Sequence, residues 1–550
     1  MDLIAELRPI LHQPTGISSA GYPYLSRIAW SRLRDWIPHT FAEGAALLDA
    51  VDSLEGDAPA DALRVVRQVV HTAAITAPPD LWLVRQVVGA LASEGWLEEL
   101  AHGVDTLPEA LEPDITLLMA RGYVVRCGAG FRWSVDPTAR RVLDETRPLP
   151  GWPGDLSARW VAALSGDRAH DALLRTVLAE IPERAPHPPP AWVATPEDLE
   201  VAFRLVGLVL GLRGANRIDD ALAGTLPLPE ALRDRALALL RRAGWWDHHG
   251  PTALGRRALR RGPGPFGIIE TYTPYLSELP RIWREGKGAV HVERSGNVAA
   301  SQDANRKTFR QANDALDRFC ADTGFDYTVF VEHAVGRGEA TRQRFHRDGD
   351  RRTYVGADLE EAALDAARAE QAAGHLPADM RFVQSDIGEP QRLVDALLAE
   401  GLDPRGAVML VGNGFHEVRG ATDARMVEVF RGYADAGFLL LFTEESALAV
   451  DDLLRTAFNT YHAGFRYVHE RSGQGLRPAS PTPEPGLGPR LRASWEECAT
   501  RAGYQRADAY CVQSRTIYPY TPANGHNPSV SVSHFFVPPG LDLPEWGQRS

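Results

Sequence analysis

Apolar residues recur at helical spacing through much of the first half of the chain. Over 61–77, Leu63, Val65, Val66, Val69 and Val70 share one face, and 81–97 repeats the pattern, which predicts two amphipathic helices. The stretch 113–145 predicts a helix ending at Gly122, a two-stranded hairpin around 127–130 and a further helix from Pro137. The same order returns at 229–261: a helix ending in Leu239–Trp246, a turn at 248–250 and a resumed helix. This is a weak internal repeat. The Pro-rich stretch 182–190 is the expected link between its two units.

From Thr328 the rhythm becomes strand then helix. Short runs rich in Val, Leu and Phe at 327–334, 352–359, 380–387, 406–414 and 437–445 read as strands buried on both faces of a parallel sheet. Helical stretches at 340–345, 359–371, 390–400 and 421–436 separate them. The end differs. A helix at 495–502 leads into GYQRADAYCV, and SVSVSHFFVP closes the chain. Two strands without a helix between them predict a terminal antiparallel hairpin.

Composition narrows the setting. The 550 residues are too many for one ordinary domain. Cys127, Cys320, Cys498 and Cys511 are scattered, so neither a disulfide framework nor a thiolate zinc site organises the fold. A reducing cytoplasm is the expected location, since no secretory signal or membrane-length apolar run is visible. A net charge of −13 makes nucleic acid a poor partner.

The chemistry concentrates at predicted strand ends. The first strand runs into Val331-Glu332-His333-Ala334-Val335-Gly336-Arg337-Gly338. Small residues there allow a tight turn and close approach of backbone to a ligand. Asp358, followed by Leu359, ends the second strand, and Asp386, followed by Ile387, ends the third. This pattern resembles class I S-adenosylmethionine (SAM) methyltransferases, which also finish in an antiparallel hairpin. In that family three glycines alternate after the acidic residue, and here Ala334 replaces the first. The resemblance covers roughly the last 230 residues. It implies that Glu332 binds the methionine ammonium, directly or through water, that Ala334, Gly336 and Gly338 cradle the cofactor, that Asp358 accepts both ribose hydroxyls and Asp386 faces the adenine amine, and that Leu359, Ile387 and Asn413 are further cofactor contacts. A nicotinamide oxidoreductase is the competing reading; the acid at the glycine loop and the hairpin finish favour the methyltransferase.

The fourth strand ends in Gly412-Asn413-Gly414-Phe415-His416-Glu417-Val418. It resembles the segment of small-molecule O-methyltransferases whose histidine is the general base, although Val418 stands where a tryptophan usually follows. His416 is the candidate base, a neutral imidazole near pH 7. The following segment, 458–477, reads as an insertion that concentrates histidines, an amide and arginines between glycines. With the long helical N-terminal region it resembles the metal-dependent C-methyltransferases of polyketide starter modules, which act on malonyl groups carried on an acyl carrier protein. That resemblance implies a mononuclear iron or manganese on His462 and Gln474, twelve residues apart, with His462 catalytic. Glu444, Glu445, His416 and His469 stand as further ligands or supporting partners.

Tyr272, Arg294 and His469 are candidate substrate contacts, and Ser301 a candidate helix cap. Arg337, Arg342, Arg344, Arg347, Arg351 and Arg352 could dock an acidic carrier, or form a solvated helix face. The expected architecture is α/β: a Rossmann-like seven-stranded methyltransferase core over 321–550 with an insertion at 446–490, a connector over 263–320 lining the cleft, and a mostly helical, winged-helix-like lid over 1–262. The expected function is SAM-dependent, metal-assisted C-methylation of a malonyl-like or other enolisable acyl substrate in secondary metabolism. The alternative is a metal-independent small-molecule O- or N-methyltransferase with His416 as base. The expected partner is a small-molecule or carrier-bound substrate, with neither nucleic acid nor membrane. Lid-first methyltransferases often pair through the lid, which makes a homodimer the candidate assembly. A DNA-binding protein with the ligand as effector is a third reading that the acidic charge opposes.

Overall fold

A computed structural model describes residues 3–13, 15–17, 23–34, 42–146, 156–179, 193–286, 290, 295–482, 488–522 and 525–541. The expected linker at 182–190 and Arg294 lie outside the described residues. No helix among the described residues is long and apolar enough to cross a membrane.

The second half is built on one sheet. Five parallel strands, β1 (Val329–His333), β2 (Thr353–Asp358), β3 (Arg381–Gln384), β4 (Val408–Gly412) and β5 (Leu439–Glu445), lie in the order β3-β2-β1-β4-β5. The remaining three are β6 (Gln505–Arg506), β7 (Val512–Gln513) and β8 (Ser531–Val537). β8 runs antiparallel beside β5, and β6 and β7 both pair with β8. The sheet therefore has eight strands rather than seven. The expected penultimate strand is broken in two by a 3-10 turn at Asp508–Tyr510, but the hairpin finish is present.

Alternation along each strand feeds two cores. Val329 and Val331 of β1 join Leu440 and Phe442 of β5 beneath the helices Pro390–Ala399, Asp423–Ala436 and Trp495–Arg501. Phe330, Leu439 and Leu441 face the other way, against Ser295–Thr323 and Glu361–Ala372. Helices thus cover both faces, as a parallel sheet requires. Ser301 lies inside the 29-residue helix Ser295–Thr323, so it does not cap it.

The first half is helical. The two predicted amphipathic stretches merge into one helix, Ala60–Ser93, that continues through Pro78 and Pro79. Both helix–hairpin–helix units are present. In the first, Glu112–Ala120 ends before Gly122, whose φ is 81°, and Val124–Cys127 pairs with Gly130–Trp133. Asp136 then caps Pro137–Glu145, accepting the Thr138 and Ala139 N–H groups. In the second, Trp246–Asp247 pairs with Gly250–Pro251, and Thr252 caps Ala253–Arg261.

The segment after β5 departs most from expectation. Within it His462–Ser472 is an 11-residue helix, buried on nearly all sides. Its Ala463, Tyr467 and Val468, with Leu448, Leu453, Phe458 and Tyr518, belong to the hydrophobic core of the first half. Two fully buried ion pairs hold these parts together. Arg121 meets Asp80, which also accepts the Gly464 N–H at 3.1 Å. Arg471 meets Asp114, which also accepts Tyr467 Oη at 2.9 Å and Trp283 Nε1 at 2.8 Å. Gly464 is required where it stands, because a Cβ would come within 2.8 Å of Leu83.

Candidate functional site

The turn after β1 is shaped by three left-handed residues at alternate positions: Ala334 (φ 57°), Gly336 (φ 49°) and Gly338 (φ 74°). Alanine at 334 therefore adopts the conformation that glycine favours, at a cost of roughly 1–2 kcal/mol. Gly338 admits no side chain, since a Cβ would lie 2.8 Å from Leu376. The Gly336 N–H donates to Asp358 Oδ2 at 3.2 Å, which ties the end of β2 to the turn. Gly414, after β4, closes the third side. Its Cβ position lies 3.2 Å from Ala334 Cβ and 3.3 Å from Ile387 Cδ1. Asn413, with a φ of 55°, donates its N–H to the Thr443 carbonyl at 2.8 Å.

The acids at the three strand ends are not equivalent. Asp358 also accepts the Glu360 N–H at 3.1 Å, and it remains partly exposed. A carboxylate has about four lone-pair sites, so capacity for two hydroxyls is left. Burial raises its pKa, against the pull of these backbone hydrogen bonds. Beside it Leu359 is 46% exposed, an apolar surface with no partner in the core. Asp386 is partly exposed, and its Oδ1 accepts the Gly388 N–H at 2.7 Å. Glu332 differs. It is 2% exposed, and its oxygens accept the Ala340 and Thr341 N–H groups at 3.1 and 2.7 Å. Burial pushes its pKa up to about 7 despite those bonds. It anchors the start of Glu339–Asp348 from beneath the turn.

A buried polar cluster adjoins this turn. Glu444, at the end of β5, accepts the Phe415 N–H at 2.7 Å and lies 2.7 Å from His416 Nδ1. His416 Nε2 lies 3.4 Å from Glu417. Burial lowers the His416 pKa, but the charges of Glu444 and Glu417 and their hydrogen bonds outweigh it and raise it to about 10. The two carboxylates thus favour the protonated ring, where the sequence predicts a neutral imidazole. Gln474 donates to Glu417 and accepts the Tyr272 hydroxyl at 2.8 Å. His469 stacks edge-on to His416, with ring centroids 5.1 Å apart, and lies 5.7 Å from the Tyr272 ring. Tyr272 and His469 thus stand in one cluster with His416 and Gln474.

His462 does not. It begins the helix that Gln474 follows, and eleven residues at 1.5 Å rise separate them by about 16 Å. One ion cannot bridge that distance with bonds near 2 Å. His462 is fully buried and engaged on both nitrogens: Nδ1 lies 2.7 Å from Thr460 Oγ1, and Nε2 lies 2.8 Å from the Val530 carbonyl and 3.1 Å from Glu445. The residues do not fit the implied metal. No group of three or more His, Cys, Asp or Glu among the described residues could hold one.

The basic patch is also resolved. Arg342, Arg344, Arg347, Arg351 and Arg352 all pair with carboxylates, among them Glu339, Glu370, Asp314, Asp317, Asp326 and Asp348. Sequence reading gave Glu417 no role. It named Glu444 without placing it beside His416, although the parallel register Gly412↔Thr443 sets the two strand ends side by side.

No protein-family model and no curated protein matches the chain. Several solved structures align with it. The CurJ carbon methyltransferase is 11% identical and covers 89% of this chain and 99% of its own, with a TM-score of 0.35. The O-methyltransferase NcsB1 from neocarzinostatin biosynthesis, solved with S-adenosyl-L-homocysteine (SAH) and 1,4-dihydroxy-2-naphthoic acid, is 16% identical, covers 70% and 97%, and scores 0.29. A SAM-dependent methyltransferase from Clostridium acetobutylicum is 9% identical, covers 42% and 92%, and scores 0.26. At these values the likenesses decide neither activity nor substrate. The fold rests on the strand order of the sheet itself.

Proposed function

We propose that the chain is a SAM-dependent methyltransferase whose acceptor is an oxyanion, such as the enolate of a malonyl-like acyl group, held against His416. One observation supports this most directly. The turn at 334–338, Asp358 and the strand-four loop converge on one edge of the sheet, and the buried His416–Glu444 pair adjoins them. Asp358 would take the ribose hydroxyls, Leu359 and Ile387 the apolar faces of the adenine, and Asp386 its amine.

Bound SAM supplies an electrophilic methyl group on a sulfonium. The protein supplies placement and charge. Glu444 fixes the His416 ring through Nδ1, and the Nε2 proton, which faces Glu417 at 3.4 Å, is the one an acceptor oxygen would take over. Because His416 already holds a proton, it stabilises developing negative charge and does not receive the acceptor's proton. Glu417, beside Nε2, is the group placed to receive it. Tyr272 joins the first half of the chain to this cluster, which suits that half to act as a lid.

The test is methyl transfer from labelled SAM to a malonyl thioester, followed against pH. A cationic His416 predicts a rate that falls as pH rises through about 10. His416→Ala should lower kcat about 100-fold or more without changing SAH affinity. A rate that instead rises toward pH 10 would favour the alternative, O- or N-methylation with neutral His416 as base.

A further inference from the structure

The carboxyl end of β5 carries a second polar cluster, one residue along from Glu444. Glu445 accepts the Tyr461 hydroxyl at 3.0 Å, and its other oxygen lies 3.1 Å from His462 Nε2. Arg515 joins this cluster from the terminal hairpin. The Val530 N–H donates to the Arg515 carbonyl at 3.1 Å, and Ser531 of β8 pairs with Glu445. The Arg515 guanidinium donates from Nη1 to Asn459 Oδ1 at 3.2 Å and from Nη2 to the Asn459 carbonyl at 2.7 Å. Asn459 is itself fixed, because its side-chain amide donates to the Ile517 carbonyl at 2.6 Å.

Arg515 differs in its partners from the arginines nearby. Arg466, Arg471 and Arg477 pair with Glu470, Asp114 and Asp423. Arg515 is bound by an amide and a carbonyl, and it has no ion pair among the described residues. Glu445 is engaged by Tyr461 and His462 instead. Burial lowers the Arg515 pKa, and the Tyr461 phenol acts against that. An arginine nevertheless keeps its charge in a protein. It has five N–H donors, so two bonds to Asn459 leave three. Arg515, Tyr461 and Glu445 are partly exposed, while their partners Asn459 and His462 are buried.

A row of rings leads from this cluster to His416. Tyr461, Phe465 and His469 recur every four residues, which places them on one helix face. Their ring centroids are 5.5 and 4.0 Å apart, and His416 follows 5.1 Å beyond His469. Eight residues of helix put about 12 Å between the two ends of the row.

We propose that Arg515 is a specificity-determining residue that holds a carboxylate at the far end of the methyl acceptor, about 12 Å from the oxyanion at His416. The inference rests on the acceptor site proposed above. A planar guanidinium fork matches a carboxylate with two parallel hydrogen bonds, and Asn459 holds this fork in place before the ligand arrives.

Titration calorimetry of the SAH-saturated chain with two malonyl thioesters tests this. One is the thioester of ω-mercaptohexanoate and the other that of ω-mercaptohexanamide, which match in length and differ in the charge of the far end. The acid should bind at least tenfold more tightly than the amide. Arg515→Gln should bring the two affinities together, with SAH affinity unchanged as the control for the fold. Arg515→Lys keeps the charge but loses the fork, and should retain part of the preference. Equal affinity for the two probes in the parent chain, or a preference that survives Arg515→Gln, overturns the proposal and leaves the acceptor site standing. Binding of neither probe overturns the proposal together with the malonyl-like acceptor.

Discussion

Ala334 carries the strain of the turn after β1, because a residue with a Cβ stands at a φ of 57°. Ala334→Gly removes that strain but loosens the unfolded chain. We expect a net gain of about 0.5–1 kcal/mol in urea unfolding. Ala334→Val should destabilise by more, since a β-branched residue tolerates this region worst. Asp358 has a binding role in the proposed function. Asp358→Ala should weaken SAH at least tenfold in titration calorimetry and leave the fold intact. At this scale the sequence was informative where spacing alone sets position: Asp358, Asp386 and the 334–338 turn all fall at strand ends. It did not show that the Glu332 oxygens turn to the next helix start, a partner only eight or nine residues away. The protonation of His416 was equally hidden, because Glu444 reaches it from another strand.

The helix His462–Ser472 decides which of the candidate residues can cooperate. The twelve-residue spacing of His462 and Gln474 is what the resemblance to metal-dependent C-methyltransferases singled out. Once the segment is helical, the same spacing parts His462 from Gln474 and brings Gln474 to Tyr272 instead. The helix forms because the first half supplies its partners, Asp80 and Asp114, more than 350 residues away, and no local pattern announces them. Asp114→Ala leaves Arg471 buried without its counter-charge. We expect a loss of about 3–5 kcal/mol in urea unfolding. Asp114→Leu combined with Arg471→Met should recover part of it, though not all, because Tyr467 and Trp283 also bond to Asp114.

The whole molecule couples the two halves through that helix, and its acid stability reflects two further buried groups. His333 accepts the Ala334 N–H at Nδ1, and His534 lies between Phe442 and Phe536. Burial holds both near a pKa of about 3, against 6.5 when unfolded. The stability they contribute is complete above about pH 6.5 and is lost as pH falls toward 3, at up to about 2.7 kcal/mol per pH unit for two protons. Glu332 and Asp80, raised to about 7 and about 6, act in the opposite sense as pH rises from about 4. The net loss should therefore be steepest below pH 4. His534→Phe should move the acid unfolding midpoint, followed by circular dichroism, to lower pH; an unchanged midpoint would count against this assignment. The alternating strands and hairpin finish were legible in the sequence because each is local. The joining of the halves was not, because it depends on contacts across hundreds of residues. The central claim is that the edge of the sheet around 334–338 and Asp358 binds SAM. Titration calorimetry of the intact chain with SAH tests it most directly. One site per chain, weakened at least tenfold in Asp358→Ala, is predicted; no binding, or equal binding by the Asp358→Ala chain, would contradict it.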